Sequence, residues 1–282
     1  MAIRLIAMDL DGTLLDNQGR LPVENAQTVA EAAARGIEIV LATGRRFDSA
    51  RGFARQIPCP MHIISSNGAL TKTVAGETLG RRLLPVAVAR KVLEATEGFR
   101  SEAGVVFDRA TSTEIVLERI DWDDPLRGEY YRKYRDSVRE VKPLASCLNG
   151  EDPIQVMFTG GCRRMQEAKQ KLETVAGADG FSLALADYPA RDLAILDVLD
   201  RGVTKGAALA DWAHARGVAR EEVMAIGDNW NDREMLEYAG LPVVMANAVA
   251  QVKERGWAMT LSNEQCGVAH AIRRYAVANG RE

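Results

Sequence analysis

IAMDLDGTLLD, residues 6–16, joins a short apolar run to two aspartates, Asp9 and Asp11, and continues with Gly12 and Thr13. Asp and Gly are ordinary turn residues, so a strand that stops in a turn is one reading of this stretch. A ligand site is the other reading, because open parallel sheets bind ligands beyond the carboxyl ends of their strands. The rest of the chain decides between the two.

Length and composition favour an α/β protein with one large domain or two unequal ones. The chain has 282 residues, of which 47% are hydrophobic and 6% aromatic, with a formal net charge of -3. This charge gives no electrostatic footprint for nucleic acid or an anionic membrane. Arg4 and Asp9 leave no room for a signal-peptide core, and no apolar run approaches the length of a membrane span. We expect a soluble, cytoplasmic protein that binds neither nucleic acid nor membrane.

Cysteine and histidine spacing gives no sign of a zinc site or a redox dithiol. The four cysteines are Cys59, Cys147, Cys162 and Cys266, and the three histidines are His62, His214 and His270. No two cysteines form a CxxC pair, so we expect reduced, mostly buried thiols. Each histidine lies in an expected strand or helix, away from a candidate nucleophile, and is expected to be structural.

Strand-like and helix-like segments alternate in the first part of the chain. Residues 3–8, 37–43 and 61–66 have the composition of buried strands, and helices are expected at 22–36 and 47–57 between them. This alternation is typical of a parallel sheet with helices on both faces.

The alternation changes near Leu83 and resumes after about Ala186. The middle segment mixes short strands with helices, one of them highly charged at residues 129–141, as expected of an α+β module. After it, LAILDVL at 193–199 is expected to return to the first sheet. The fold class is therefore α/β, with a doubly wound, Rossmann-like parallel-sheet core and an inserted α+β cap domain. The expected boundaries are 1–83 and 189–282 for the core and 84–188 for the cap.

Related polar residues stand at four expected strand ends, the first being Asp9 and Asp11. In LATGRR at 41–46, Thr43 offers a hydroxyl and Gly44 a backbone N–H near a helix start, a favourable place for an anion. In GVTKG, Lys205 lies in the first turn of a helix, where the helix dipole opposes a positive charge. That position makes sense if Lys205 faces an anion.

The fourth strand end is IGDNWNDREM, where Asp228 ends a strand and Asp232 begins a helix. Asp232 is also simply a favourable charge for a helix start. Together with Asp9 and Asp11, however, these carboxylates would repel, by roughly 4 kcal/mol for two charges about 4 Å apart at an effective dielectric near 20. Lys205 supplies one compensating charge, and a divalent cation is the natural second source. Oxygen ligands without histidine or cysteine favour Mg²⁺ over zinc.

Magnesium beside a lysine, a threonine hydroxyl and helix-start N–H groups describes a phosphoryl-transfer site. Asp9 can attack phosphorus to form an aspartyl-phosphate. Asp11, two positions later on the same side of an extended chain, can pass a proton to the leaving oxygen and then take one from water. Gly12 lets the backbone turn sharply between them and the rest of the loop.

The motifs DLDGTLLD, LATGR, GVTKG and GDNWNDREM, in this order, resemble the four motifs of the haloacid dehalogenase (HAD) superfamily of phosphatases. SSNGAL, the closing segment LSNEQCGVAHAI and the position of the cap are similar to the Cof-type subfamily. The resemblance implies a magnesium-dependent hydrolase of small-molecule phosphate monoesters, by default sugar phosphates. It covers the whole chain, with the motifs carrying more of it than the cap.

The resemblance also implies a role for each matching residue. Asp9 would be the nucleophile and a magnesium ligand, and Asp11 the general acid and base, with a backbone carbonyl that binds the metal. Lys205 would neutralise the phosphoryl group and orient Asp9. The implied catalytic residues are Asp9, Asp11, Thr43 and Lys205, the phosphate-binding residues Thr43, Gly44, Lys205 and Asn231, and the metal-binding residues Asp9, Asp11, Asp228 and Asp232.

Two other functions stay open at this point. A phosphosugar mutase would keep the aspartyl-phosphate and return the phosphoryl group to another hydroxyl. A catalytically inactive, phosphatase-like binding protein could hold RNA with the basic and aromatic segment EYYRKYRDSVREVK, although acidic residues in that segment favour a solvated face. Motifs of serine hydrolases, P-loop proteins and dinucleotide-binding proteins do not occur in the sequence. We expect a monomer or a homodimer.

Overall fold

The computed structural model describes residues 2–109, 113–125, 127–133, 135–175 and 180–277. They form two compact units, each with its own sheet. The first unit runs to Arg81 and resumes at Thr204, and the second unit is Arg82–Val203. The expectation of an α/β core sequence interrupted by a second domain is thus confirmed.

The strands are numbered in chain order. They are β1 (Leu5–Met8), β2 (Glu38–Ala42), β3 (His62–Ser65), β4 (Leu70–Thr73), β5 (Thr78–Arg81), β6 (Ala103–Asp108), β7 (Thr113–Leu117), β8 (Val138–Glu140), β9 (Gln155–Gly160), β10 (Ser182–Tyr188), β11 (Leu193–Leu199), β12 (Val223–Gly227), β13 (Leu241–Val244) and β14 (Ala258–Met259). The α-helices are α1 (Val23–Ala34), α2 (Phe47–Ala54), α3 (Val86–Ala95), α4 (Gly128–Lys133), α5 (Cys162–Val175), α6 (Lys205–Ala215), α7 (Arg233–Tyr238), α8 (Ala250–Lys253) and α9 (Gly267–Ala271).

The sheet of the first unit has the order β14-β13-β12-β1-β2-β3-β4-β5. Strands from β14 through β3 pair in parallel, and the hairpin of β4 and β5 extends one edge antiparallel. Successive side chains of β1 point to opposite faces of the sheet. Ile6 packs with α1 and α2, and Ala7 packs with α6 and α7. Since both faces are covered, every residue of β1 is buried, which explains its continuous apolar sequence.

The sheet of the second unit has the order β10-β11-β9-β6-β7-β8. Its neighbours pair antiparallel except for β7 and β8. Helices α3 and α5 contribute Val92, Leu93, Met165 and Leu172 to a core that also holds Phe107 and Phe158 of the sheet. This mixed arrangement is the α+β module that the sequence predicts.

Two expectations about elements are wrong. The segment LAILDVL is β11 of the second sheet and not a strand of the first, because β9 and β10 flank it antiparallel. The second unit therefore extends to Val203, beyond the expected boundary at 188/189. Residues 129–141 are not one helix. Helix α4 is short, a 3₁₀ turn follows at Arg135–Ser137, and β8 then pairs with β7. Tyr134 lies outside the described residues.

The cysteines are free thiols in the part of the chain that the structure describes. Cys147 is buried, but the other three are only half-buried, so the expectation of mostly buried thiols is wrong. His62 lies in β3, where its ring centroid is 4.3 Å from that of Trp212. Of the helices formed by described residues, none combines the length and apolar character that a membrane crossing requires.

Candidate active site

The carboxyl ends of β1 and β12 bring three aspartates together. The two strands are parallel neighbours with Met8 opposite Ile226, so the residues that follow them, Asp9 and Asp228, leave the sheet side by side. Asp232 joins them from the turn before α7. One carboxylate oxygen from each aspartate lies within 4.8 Å of the others, and all three residues are buried. The structure thus places together three of the four residues that the sequence predicts as metal ligands, Asp9, Asp228 and Asp232.

Two glycines give these carboxylates their room. Gly12 has a φ of 75°, and a Cβ there would collide with the carboxylate of Asp228. A Cβ on Gly227 would lie 2.7 Å from the Cβ of Asp232. The hydroxyl of Thr13 donates to Asp228 Oδ1 at 2.8 Å, which fixes the orientation of that carboxylate.

Asp232 is held by the backbone of the preceding turn. Its Oδ2 accepts hydrogen bonds from the backbone N–H groups of Asp228 and Asn229, each at 3.0 Å. Oδ1 accepts from Lys205. Asp232 is thus both the helix-start acceptor that its position suggests and a direct partner of the lysine.

Lys205 bridges the aspartates. Its Nζ donates to Asp9 Oδ1 at 2.7 Å and to Asp232 Oδ1 at 2.6 Å, with 1% of the side chain exposed. The Thr204 hydroxyl accepts from Ala207 N–H at 3.0 Å and so caps α6, which holds Lys205 at the first helical position. Burial alone would lower the pKa of Lys205, but Asp232 and Asp9 raise it overall and keep the side chain charged.

The charge balance of this cluster calls for a further cation. Burial raises the pKa of Asp9 to about 7, and Asp232 and Asp11 raise it too, while Lys205 opposes the rise. Burial, followed by Asp232 and Asp9, also raises the pKa of Asp228 well above its usual value. The ammonium group thus offsets only part of the charge of the three carboxylates. A hard divalent cation fits this all-oxygen donor set.

The expected phosphate-binding residues lie on the loops beside this cluster. Thr43 and Gly44 follow β2, the parallel neighbour of β1, and Thr43 is buried. The Thr43 hydroxyl accepts from the backbone N–H of Arg45 at 3.1 Å. Asn231, on the turn between Asp228 and Asp232, donates from Nδ2 to Asn67 Oδ1 at 3.1 Å.

Asp11 lies outside the three-carboxylate cluster and pairs with Arg45. Arg45 Nε donates to Asp11 Oδ2 and Nη2 to Asp11 Oδ1, both at 2.6 Å, in a bidentate geometry. Sequence reasoning did not identify Arg45 as a site residue. The signal available was its position directly after Thr43 and Gly44 at a strand end.

The chain is similar to known proteins in sequence and in structure. The sequence model of the haloacid dehalogenase-like hydrolases matches residues 6–272. The HMP-PP phosphatase of Citrobacter koseri is 30% identical, over 88% of this chain and 86% of its own length. Phosphatase YwpJ of Bacillus subtilis is 28% identical, over 96% of this chain and 99% of its own. The crystal structure of a haloacid dehalogenase-like hydrolase from Bacteroides thetaiotaomicron is 26% identical with a TM-score of 0.77, covering 96% of this chain and 99% of that one.

Proposed function

Because the chain belongs to the haloacid dehalogenase-like hydrolase family, we propose that it is a magnesium-dependent phosphatase of small-molecule phosphate monoesters, such as sugar phosphates. The single observation that carries the proposal is the buried Lys205 bridge between Asp9 and Asp232, with Asp228 beside them. An uncompensated group of buried carboxylates is costly, so its presence at strand ends indicates a ligand that supplies positive charge.

Asp9 is the proposed nucleophile. Lys205 fixes its side chain, and burial limits the water that can compete with a substrate for it. A carboxylate oxygen of Asp9 attacks phosphorus, and the bond from phosphorus to the leaving oxygen breaks. The leaving oxygen takes the proton of Asp11 and departs as an alcohol.

Asp11 then acts in the opposite direction. It accepts a proton from the water that attacks phosphorus, the bond between phosphorus and Asp9 breaks, and inorganic phosphate leaves with the Asp9 carboxylate restored. The bidentate contact with Arg45 fits the ionised carboxylate of Asp11, which is the form that accepts the proton from water, and this contact has to open when Asp11 carries a proton. Arg45 therefore joins the residues that support the proposed base.

Asp9, Asp228 and Asp232, with the backbone carbonyl of Asp11, are the residues that would hold Mg²⁺. When bound, Mg²⁺ supplies positive charge that reduces repulsion between the nucleophile and the phosphoryl oxygens. Both oxygens of Asp232 already accept hydrogen bonds, from Lys205 and from backbone N–H groups. Asp232 is therefore held more firmly than a carboxylate that the metal alone would fix.

The proposed phosphate cradle consists of neutral and positive donors. The hydroxyl of Thr43, the N–H of Gly44, the ammonium of Lys205 and the amide of Asn231 would bind the phosphoryl oxygens. Two of these donors come from the loop after β2, and the other two come from the segments that begin α6 and α7.

The substrate class is proposed from the relatives' names. The similar protein of Citrobacter koseri is named as a phosphatase of HMP-PP, and a relative in Bacillus subtilis, 24% identical, as a phosphatase of 5-amino-6-(5-phospho-D-ribitylamino)uracil. Both names describe small soluble phosphate esters. We propose the second unit, Arg82–Val203, as the cap that chooses among such substrates.

A phosphate-release screen over a panel of phosphorylated metabolites tests this function. Wild-type protein is expected to release phosphate with Mg²⁺ and to stop on addition of EDTA. Asp9→Asn keeps the size of the side chain but removes the nucleophilic charge, so its rate should fall to background. Equal release by wild type and Asp9→Asn would show that Asp9 is not the nucleophile.

A further inference from the structure

A buried turn at Ser66–Gly68 follows β3 at the end of the sheet where the aspartates lie. Ser66, Asn67 and Gly68 all have positive φ, at 48°, 52° and 107°. The left-handed region is unfavourable for residues with a Cβ, so two consecutive non-glycine residues remain there only where surrounding contacts hold them. Such a turn in the motif SSNGAL indicates a role beyond connecting two strands.

The turn donates two backbone hydrogen bonds to the loop after β2. The N–H of Asn67 donates to the carbonyl of Thr43 at 3.0 Å, and the N–H of Ser66 donates to the carbonyl of Arg45 at 2.9 Å. A trans peptide directs its carbonyl and its N–H to opposite sides, so the N–H of Gly44 points away from the carbonyl that Asn67 holds. The turn therefore fixes the direction in which Gly44 presents its N–H.

The side chain of Asn67 also contacts Asn231 and Gly44. Its Oδ1 accepts the hydrogen bond from Asn231 Nδ2 at 3.1 Å. A Cβ on Gly44 would lie 3.1 Å from Oδ1 and 3.2 Å from Nδ2, so the amide packs against the open side of that glycine. Gly68 lies against the carbonyl of Thr204, directly before Lys205. The turn thus touches three of the loops that carry the proposed site.

We propose that Asn67 is a positioning residue of the phosphate cradle, whose side chain sets the direction of the Asn231 amide and restrains Gly44, against which it packs. The inference rests on the proposed phosphatase function and extends it to a residue that is not among the proposed phosphate ligands. Transition-state stabilisation by oriented donors depends steeply on their placement, because a misdirected donor gains little as charge develops. Asn67 connects two such donors from distant segments of the chain.

The variant Asn67→Gly tests this role, since glycine accepts the left-handed backbone and keeps the N–H that Thr43 binds. We expect kcat/KM for Mg²⁺-dependent phosphate release to fall by about 10–50-fold, mainly through kcat. Affinity for orthovanadate, used as a probe of the phosphoryl site, should fall by a similar factor. The melting temperature should change little, because relief of the backbone strain by glycine offsets the loss of the hydrogen bond between Asn67 and Asn231. A purely structural residue would give the reverse pattern, with stability lost and kinetics kept.

A double-mutant comparison separates positioning from independent effects. Asn231→Ala alone should also lower kcat/KM, and combining it with Asn67→Gly should give less than the product of the two losses, because one acts partly through the other. Cys266→Gly is the matched control. Cys266 also has a left-handed φ, 53°, but its thiol lies near Glu24 and Arg273 and not near the proposed phosphate ligands. The kinetics of Cys266→Gly should therefore match those of wild type.

Three results would overturn the inference. The first is wild-type kcat/KM and vanadate affinity in Asn67→Gly, measured beside an active wild-type enzyme. The second is losses in the two single variants that multiply fully in the double variant. The third is a wild-type protein that releases phosphate from no substrate of the panel. The first two leave the phosphatase proposal intact, and the third removes both proposals together.

Discussion

Replacing Lys205 by methionine probes the charge balance on which the proposed site depends. Methionine keeps an unbranched, buried side chain but lacks the ammonium group that lies 2.7 Å from Asp9 Oδ1 and 2.6 Å from Asp232 Oδ1. The packing of α6 should change little, so the measured effect is mainly electrostatic.

The expected loss follows from the burial of this ion pair. Removing one partner of a buried salt bridge costs about 3–5 kcal/mol, because the remaining charge stays buried without compensation. Asp232 keeps its hydrogen bonds to the backbone N–H groups of Asp228 and Asn229, which places the loss within that range and not above it. We expect Lys205→Met to lower the free energy of unfolding by about 3–5 kcal/mol at pH 8 without metal.

The loss should also depend on pH, with a definite sign. The pKa of Asp9 is about 7 in the folded protein against an ordinary 3.8, so the folded state binds this proton more tightly than the unfolded state. The Asp9 carboxyl group therefore lowers the free energy of unfolding by more as pH rises from 3.8 toward 7. Lys205 lowers the pKa of Asp9, so its removal raises that pKa further. Protonation of Asp9 relieves the variant at low pH, and its deficit should be smaller at pH 5 than at pH 8.

Urea unfolding of wild type and Lys205→Met at pH 5 and pH 8, both in EDTA, measures these quantities. Lys91→Met, at an exposed lysine of α3, is the control and should stay within about 0.5 kcal/mol of wild type. Adding Asp232→Asn to Lys205→Met should recover part of the loss, because it removes one of the uncompensated charges. A deficit below about 1 kcal/mol at pH 8, or one equal at both pH values, would refute the reasoning.

Four further predictions concern single features of the site and the sheet. Gly12→Ala should lower the free energy of unfolding by about 1–2 kcal/mol and abolish phosphate release, because a Cβ at a φ of 75° meets the carboxylate of Asp228; urea unfolding and the release assay measure both. Arg45→Met should lower kcat by about 10–100-fold for alkyl phosphates and also for p-nitrophenyl phosphate, because Asp11 takes the proton from water in the second step whatever the leaving group; an unchanged kcat on both would contradict this. When free Mg²⁺ is at 100 times its Kd, its removal by EDTA should lower the free energy of unfolding by about 2.7 kcal/mol in a thermal-unfolding comparison, and Asp228→Asn should lose most of that difference. Burial lowers the pKa of His62, so the unfolded chain binds this proton more readily and stability falls as pH drops through the ordinary value of 6.5; His62→Phe should weaken that dependence in urea unfolding between pH 8 and pH 5.

The sequence predicts that the site residues lie close together, because the ends of buried strands can be recognised in it. A buried strand of a parallel sheet is a continuous apolar run, and the polar residue that ends it marks the edge where ligands bind. The ends of the apolar runs indicate Asp9, Thr43 and Asp228 in this way, and the structure places carboxylate oxygens of Asp9 and Asp228 within 4.8 Å of each other. Lys205 was found by a different signal, a positive charge at the start of a helix.

The sequence does not show in the same way which of the two sheets a strand joins. LAILDVL is apolar enough for either sheet, and only its antiparallel pairing with β9 and β10 assigns it to the second unit. A different limit applies to residues 129–141, where the pairing of β8 with β7 overrides helical periodicity and changes the type of the element. Local pattern fixes the type of an apolar segment better than its partner.

The residues that sequence reasoning missed are partners and not reactive groups. Arg45 and Asn67 belong to residue types that are common in surface loops. Arg45 takes its role from its contact with Asp11, and Asn67 takes its role from its contacts with Asn231 and Gly44. The sequence indicates the positive φ of Asn67 only weakly, through the pair Asn67-Gly68, because Asn-Gly is frequent in turns of many kinds. Its contacts with the loops after β2 and β12 arise only when the sheet is formed.

The site therefore opposes the stability of its own fold. Lys205 and Asp9 are 196 residues apart, so their contact forms only after distant segments of the chain have come together. Even then, the raised pKa values of Asp9 and Asp228 show that the folded state holds these carboxylates less easily as anions than water does. A fold selected for stability alone would replace them by apolar residues of similar size. Their persistence at the meeting point of two strands, with a lysine placed against the helix dipole, is the physical argument that a cation and an anionic substrate complete the charge balance.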